Sequence, residues 1–184
     1  MEVSRAVAAG ADDGTSAVPL SEAEFIGRYR RWRDPVYRYL RARCRTDEDA
    51  ADLTASAFER AWRARHTFRG PTDAYPGWIF GIARRLAVDA ARRQRTAART
   101  QVFWPLAPPM LDPADLVSAG EDVRRLAHRL ADLSDLQREA LALRFGGRLT
   151  AIQIRAAIGK TEAATQKLLT RALARLKEAY RDDE

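Results

Sequence analysis

Pro105, Pro108, Pro109 and Pro113 fall within nine residues and cut the chain into two stretches. In both stretches apolar residues recur every three or four positions, and nowhere do they alternate at a period of two. That pattern calls for helices and leaves no strand to build a sheet. A helix cannot run through such a proline cluster, because each ring removes a backbone donor and crowds the preceding turn. The expected fold is therefore all-α. It consists of two small helical domains, at about 20–95 and 121–181, joined by a Pro-rich linker over 96–120. Residues 1–19 are small, polar and patternless, and read as a flexible tail.

Local signals place the elements. Ser21 with Glu24 has capping-box spacing and opens a helix carrying Phe25, Ile26, Tyr29 and Trp32. Asp34-Pro35 is expected to kink or restart it, with Val36, Tyr37, Leu40 and Cys44 beyond. Thr46 opens a second helix to about Arg65, residues 66–76 form a loop, and a long helix runs from about Pro76 to Arg95. After Gly120 a helix is expected at 121–131, and another from Ser134 to Phe145, closed by Gly146-Gly147. Thr150 with Gln153 opens a short helix, Gly159 makes a left-handed turn, and Thr161 caps a final long helix. Val102, Phe103, Trp104 and Leu106 give the linker an apolar patch that a free spacer would not need. Domains of this size bury about 60% of their unfolded surface. Each is expected to lean on a partner.

The composition excludes much. One cysteine, Cys44, cannot make an internal disulfide or a thiolate zinc site, and reads as a small buried side chain. His66 and His128 are too few and too scattered for metal or triad chemistry, and no Gly-rich phosphate loop is present. No metal, cofactor or catalytic residue is expected. No apolar run suits a membrane span or a signal peptide, so a cytoplasmic protein without membrane insertion is expected.

The charge is informative once divided. Lys and Arg number 32 against 25 acids, a net of +7. By segment the net is +5 over 21–46, −4 over 47–62 and +6 over 63–95. The arginines at 84, 85, 92, 93 and 95 form a cluster suited to phosphates, and Phe68, Tyr75, Trp78 and Phe80 nearby offer stacking faces or core. A short helix, a Gly turn and a capped helix make a helix-turn-helix pattern at 150–181. Its second helix presents Gln166, Lys167, Thr170, Arg171, Ala174 and Arg175 on one side. Between these basic blocks, Asp52 and Glu59 continue an acidic helix beyond the first turn, where the helix dipole alone would favour acids. Such a helix repels DNA and is a candidate protein-binding face.

At this point the residues resemble a family. DPVYRYLRARCRTDEDAADLTASAFERAWRARHTFRG, continued by WIFGIARRLAVDAARRQR, is similar to region 2 of bacterial sigma factors. LSDLQREALALRFGGRLTAIQIRAAIGKTEAATQKLLTRALARLKEAY is similar to their region 4. With both regions and a short linker, the chain resembles the extracytoplasmic-function (group 4) factors of the sigma-70 family over about 145 of its 184 residues. The resemblance implies a transcription initiation factor that binds core RNA polymerase and recognises promoter DNA. It implies polymerase binding, on the clamp helices of the largest subunit, by Asp49, Asp52, Leu53, Phe58, Glu59 and Trp62. It implies recognition and melting of the minus-10 element by the 66–76 loop with Tyr75, Trp78, Arg84, Arg85, Asp89, Arg92 and Arg93. It implies minus-35 reading by Thr161, Gln166, Lys167, Thr170, Arg171 and Arg175, with region 4 near the polymerase flap. Such factors often have an anti-sigma partner, and the chemistry is the polymerase's.

The chain departs from the family pattern in several places. Ala55, Ser56 and Ala57 replace a polar trio, Gly81 stands for the usual Arg, and Arg85 for the usual Asn. In the helix-turn-helix, Arg155, Lys160 and Thr165 replace a small residue, an apolar one and a Val. Two other readings therefore stay open: a stand-alone helix-turn-helix DNA-binding regulator, and a sigma-like adaptor with weakened promoter reading.

Overall fold

The computed structural model describes residues 20–97 apart from Arg45, then Leu126 and residues 129–181. The N-terminal tail, the linker with its Phe103-Trp104 patch, His128 and most of the helix expected at 121–131 lie outside the described residues. Six α-helices are described: α1 (Glu22–Arg41), α2 (Asp47–Arg63), α3 (Tyr75–Ala97), α4 (Asp135–Leu141), α5 (Ala151–Ile158) and α6 (Glu162–Arg181). Short 3-10 turns at Arg65–Thr67 and Thr72–Ala74 shape the loop between α2 and α3.

The helix starts are set by side chains that satisfy otherwise orphaned backbone N–H groups. Ser21 and Glu24 form a reciprocal capping box at α1, Ser134 and Gln137 at α4, and Thr150 and Gln153 at α5. Hydrogen bonds from the Ser21 backbone and hydroxyl hold the Glu24 carboxyl below its usual range. Thr46 caps α2 and Thr161 caps α6. Gly159 ends α5 with φ 67°, the left-handed turn expected there.

Two boundaries differ from expectation. α1 runs unbroken through Pro35. The proline leaves the Arg31 carbonyl without its helical partner, but Trp32, Val36 and Tyr39 pack into one core on either side of it and keep the axis continuous. The helix expected to reach Phe145 leaves α geometry after Leu141 and finishes as a π-turn over Ala142–Gly146.

One core spans both halves. Val36, Tyr39, Leu40, Phe58, Ile79 and Phe80 from the N-terminal half share a single apolar cluster with Leu143, Leu149, Ile154 and Ile158 from the C-terminal half. A smaller cluster of Leu130, Leu133, Leu141 and Ala172 holds α6 against α4. The partner on which each half leans is therefore the other half. Two devices bring them together. At Gly77 an added Cβ would lie 2.7 Å from the Gln153 carbonyl oxygen and 2.9 Å from the Ala156 Cβ, so α3 and α5 touch backbone to backbone. At Gly81, where the family pattern has Arg, the nearest atom is the Ala157 Cα at 3.5 Å.

The second device is polar. Arg43, just past α1, has a side chain only 1% exposed and donates to Glu139 of α4 at 3.2 Å and to the Tyr39 carbonyl at 2.7 Å. Its guanidinium lies 3.7 Å from the centre of the Tyr39 ring, and the Tyr39 hydroxyl donates to the same carboxylate. Burial holds the Tyr39 phenol far above its ordinary pKa, so it stays a donor. A buried pair of this kind adds little net stability, but breaking it strands a charge at a cost of about 3–5 kcal/mol. Glu139→Ala is accordingly expected to lower unfolding stability by about 3 kcal/mol and to split one cooperative urea transition into two. Arg43→Met combined with Glu139→Leu is expected to stay near wild type. Urea unfolding followed by circular dichroism checks both.

Candidate nucleic-acid interface

α2 carries the acidic face. Asp52 and Glu59 are exposed and seven residues apart, hence on one line of the helix. Asp49, Leu53 and Trp62 are half-buried beside it. Glu59 bonds Arg63 at 2.6 Å, an exposed pair that leaves the carboxylate accessible. Phe58 is different. It is 4% exposed and belongs to the core, meeting Tyr29 edge to face at 4.9 Å, so in this arrangement it supports the face from beneath. Trp62 is held between Phe25 at 5.1 Å and the Arg65 guanidinium at 3.7 Å. Of the replaced polar trio, Ala57 is buried while Ala55 is exposed.

α3 carries a basic stripe. At about 100° per residue, Trp78, Arg85, Asp89, Arg92 and Arg93 fall on one side of the helix. Arg85, Asp89, Arg92 and Arg93 are exposed there and Trp78 is half-buried. Arg84 lies off this stripe, on the side of Gly77 and Gly81. It is half-buried near Tyr39, with an Nε that is buried without a hydrogen-bond partner. Arg95 lies where side chains are outside the described residues.

The loop before α3 is anchored by an aromatic cluster. Phe68, Tyr75 and Trp78 meet pairwise at 5.2 to 5.8 Å between ring centres. Tyr75, which the resemblance implies in minus-10 recognition, is fully buried, and its hydroxyl has no hydrogen-bond partner. It is a floor for the loop. Arg28 of α1 covers the cluster, with its guanidinium 5.2 Å from the Tyr75 ring centre and 5.6 Å from that of Phe68. Sequence reasoning missed Arg28. The available signal was an Arg at a position of the apolar stripe, three residues after Phe25 and four before Trp32.

α5 and α6 form the helix-turn-helix. Thr165, Leu168, Leu169 and Ala172 turn inward on α6, while Thr161, Gln166, Lys167, Thr170, Arg171 and Arg175 are all exposed. The departures find places. Thr165 fits a fully buried position because its hydroxyl donates to the Thr161 carbonyl at 2.9 Å. Lys160 is exposed in the turn. Arg155 is half-buried with its Nε unpartnered, the cost expected of a charged residue at an inner position. Gln153, besides capping α5, donates to the Asp73 carbonyl of the aromatic loop at 2.8 Å. The helix-turn-helix thus holds the loop of the other half.

Elsewhere, His66 is exposed and Cys44 is half-buried with its thiol pushed up to about 11 by burial. Among the described residues no His, Cys, Asp and Glu group is arranged to hold a metal, and no helix is long and apolar enough to cross a membrane.

Residues 28–97 match the family model for sigma-70 region 2. The chain is 29% identical over 133 residues to an ECF RNA polymerase sigma factor, SigK, of Mycobacterium sp. strain KMS, covering 71% of this chain and 69% of that one. It is 26% identical over 158 residues to the ECF sigma factor RpoE of Cereibacter sphaeroides, covering 85% and 86%. These likenesses support an extracytoplasmic-function sigma factor, an alternative sigma factor that directs transcription initiation, over a stand-alone regulator. Solved structures agree on the fold. The sigma factor RpoE of Bartonella quintana, in complex with the anti-sigma factor NepR, aligns with TM-score 0.63 at 20% identity over 88% of this chain and 99% of that one. CnrH, in complex with the cytosolic domain of CnrY, aligns with TM-score 0.60 at 20% identity over 89% and 92%.

The unpartnered Tyr75 hydroxyl gives this chain a testable liability. A buried donor without an acceptor costs about 1–3 kcal/mol. Tyr75→Phe removes it while keeping the ring. The variant is expected to gain about 1 kcal/mol of unfolding stability, measured by thermal or urea denaturation; a loss of stability would show that the hydroxyl is satisfied.

Proposed function

We propose that the three faces divide the work of initiation. The exposed line of Asp52 and Glu59 on α2, with Asp49, Leu53 and Trp62 beside it, docks on the clamp helices of core polymerase. The stripe of Trp78, Arg85, Asp89, Arg92 and Arg93, with the 66–76 loop, recognises and melts the minus-10 element. The outer side of α6 reads the minus-35 duplex, with region 4 near the flap. The observation that carries this reading is exposure. The acidic side chains of α2 and the basic ones of α3 and α6 lie open on separate faces. Exposed charges act at long range on an approaching partner more than they add to stability. The chain itself contributes no bond chemistry, which stays with the polymerase, and it works in the cytoplasm. An anti-sigma factor is a further partner by analogy with the Bartonella quintana complex.

This reading requires the two halves to part. The two promoter elements, as their names state, are centred about 25 base pairs apart, roughly 85 Å of duplex at 3.4 Å per pair. A compact chain of this length has a radius of gyration of about 16 Å, so the closed body is roughly 40 Å across. It cannot reach both elements. The 28 residues between Ala97 and Leu126 can extend about 90 Å at most, enough to span them once α5 leaves α3.

Two experiments test the proposal. Run-off transcription by core polymerase on a promoter library is expected to give specific transcripts with this chain and none without it. Asp52→Lys with Glu59→Lys is expected to abolish them and to reduce polymerase co-purification while leaving helicity intact; unchanged co-purification refutes docking by α2. For opening, fluorophores at Ala51→Cys and Ala174→Cys in a Cys44→Ser background are expected to show efficient energy transfer in the free chain. Transfer is expected to disappear in the polymerase–promoter complex. Equal transfer in both states overturns the opening step.

A further inference from the structure

The loop between α2 and α3 is poorly held by its own bonds. Its internal hydrogen bonds are short-range: Ala74 N–H to the Pro71 carbonyl, Phe68 N–H to Arg65, and the Arg69 guanidinium to His66. Among the described residues, two hydrogen bonds reach it from distant elements. One comes from Gln153 of α5 to the Asp73 carbonyl at 2.8 Å. The other comes from Arg28 of α1, whose Nη2 donates to Thr72 Oγ1 at 3.3 Å. The same guanidinium covers Phe68 at the start of the loop and Tyr75 at its end. Arg28 therefore touches the loop at three points along its length.

These two ties have different fates. The Gln153 bond belongs to the closed body and is lost when α5 withdraws from α3. The Arg28 contacts lie wholly within the N-terminal half and survive. Stability alone does not explain an Arg at this position. Its Nη1 is buried with no hydrogen-bond partner, and an unmet donor against aromatic rings is costly. An apolar side chain of similar length would fill the space without that cost.

We propose that Arg28 is a positioning residue for promoter opening: it holds the 66–76 loop in its reading shape and is the cross-element hydrogen bond left to do so after the halves separate. The proposal rests on the reading of this loop as the minus-10 element's receptor. Arg28 acts through the loop and needs no contact with DNA. Its guanidinium supplies both the bond to Thr72 and the cation over two ring faces, and a Lys ammonium offers the charge without the planar fork.

The test uses the full chain assembled with core polymerase on a promoter carrying 2-aminopurine in the non-template minus-10 strand. Fluorescence rise then reports the opening rate, and its dependence on polymerase concentration separates initial binding from opening. Arg28→Met is expected to leave thermal stability equal or higher and initial binding within about twofold, while opening slows about tenfold. Thr72→Val is expected to slow opening about threefold, with little further effect when combined with Arg28→Met, because both remove one bond. Arg28→Lys is expected to fall between Met and wild type. Arg92→Ala with Arg93→Ala serves as the control for the underlying reading. If that control opens normally, the assignment of the minus-10 face has failed. If the control is slow and Arg28→Met opens at the wild-type rate, the positioning role is overturned. If Arg28→Met loses stability in proportion to opening, or does not fold, then Arg28→Lys and Thr72→Val decide. Normal opening in both overturns the proposal, and slowed opening at unchanged stability supports it.

Discussion

The contact between α3 and α5 governs what the rest of this molecule can do. Gly77 lets the two backbones meet, since any side chain there would run into the Gln153 carbonyl oxygen at 2.7 Å. Gly81 stands one turn further along, facing Ala157. Where the family pattern has an arginine at that place, this chain has nothing, and α5 occupies the room. The consequence is a shared core. Phe80 and Tyr39 from one half pack with Leu143 and Leu149 from the other, and Arg43 and Glu139 close the seam beside them. Two segments, each too small to bury an ample core alone, become one body.

The surface of that body is sorted by charge. Carboxylates on α2 and guanidinium groups on α3 lie on separate helices, and the exposed polar side chains of α6 form a third face. The charged groups point away from the core, while Leu53, Trp62 and Trp78 beside them pack against it. Exposed charge costs little in water and acts over about a Debye length. On the proposed reading, DNA binding by the basic faces and polymerase binding by the acidic face are expected to depend strongly on salt.

How much of this was legible beforehand depended on the range of the interaction. Capping boxes at Ser21, Ser134 and Thr150, and the left-handed Gly159, are local events between residues a few positions apart, and the sequence states them directly. The helical stripe of α6 follows from its period, so its outer residues were identified correctly as exposed. What was not legible shares one cause. Phe58, Tyr75 and Arg84 are covered by a second element, and periodicity on one helix cannot say what packs from outside. Pro35 is the same case in reverse, since tertiary packing on Trp32 and Tyr39 overrode a local break. Arg28 and Arg43 were readable only as anomalies, the one an arginine on the apolar side of α1 and the other just past its end. Their partners, Thr72 and Glu139, lie 44 and 96 residues away.

The seam between the halves has the chemistry of something able to part. Gly77, Gly81, Ala156 and Ala157 bring little apolar surface to it, and Arg43 and Glu139 regain their hydration when separated. Tyr39, Ile79 and Phe80 on one side and Leu143, Leu149, Ile154 and Ile158 on the other belong to the apolar core that opening would expose. That area sets the equilibrium. At about 25 cal/mol per Å², burying it favours the closed chain. Opening must then be driven by a partner that binds the separated halves better than the closed body, because a ligand shifts an equilibrium only by its difference in affinity for the two states. DNA alone is poorly suited to this, since phosphates cover charge and leave Leu143 and Leu149 in water. A protein surface that binds α2 and also shelters the exposed core face has the required preference. On the reading proposed above, polymerase would bind first and promoter second, and the loop at 66–76 would lose its tie to Gln153 while keeping the one to Arg28.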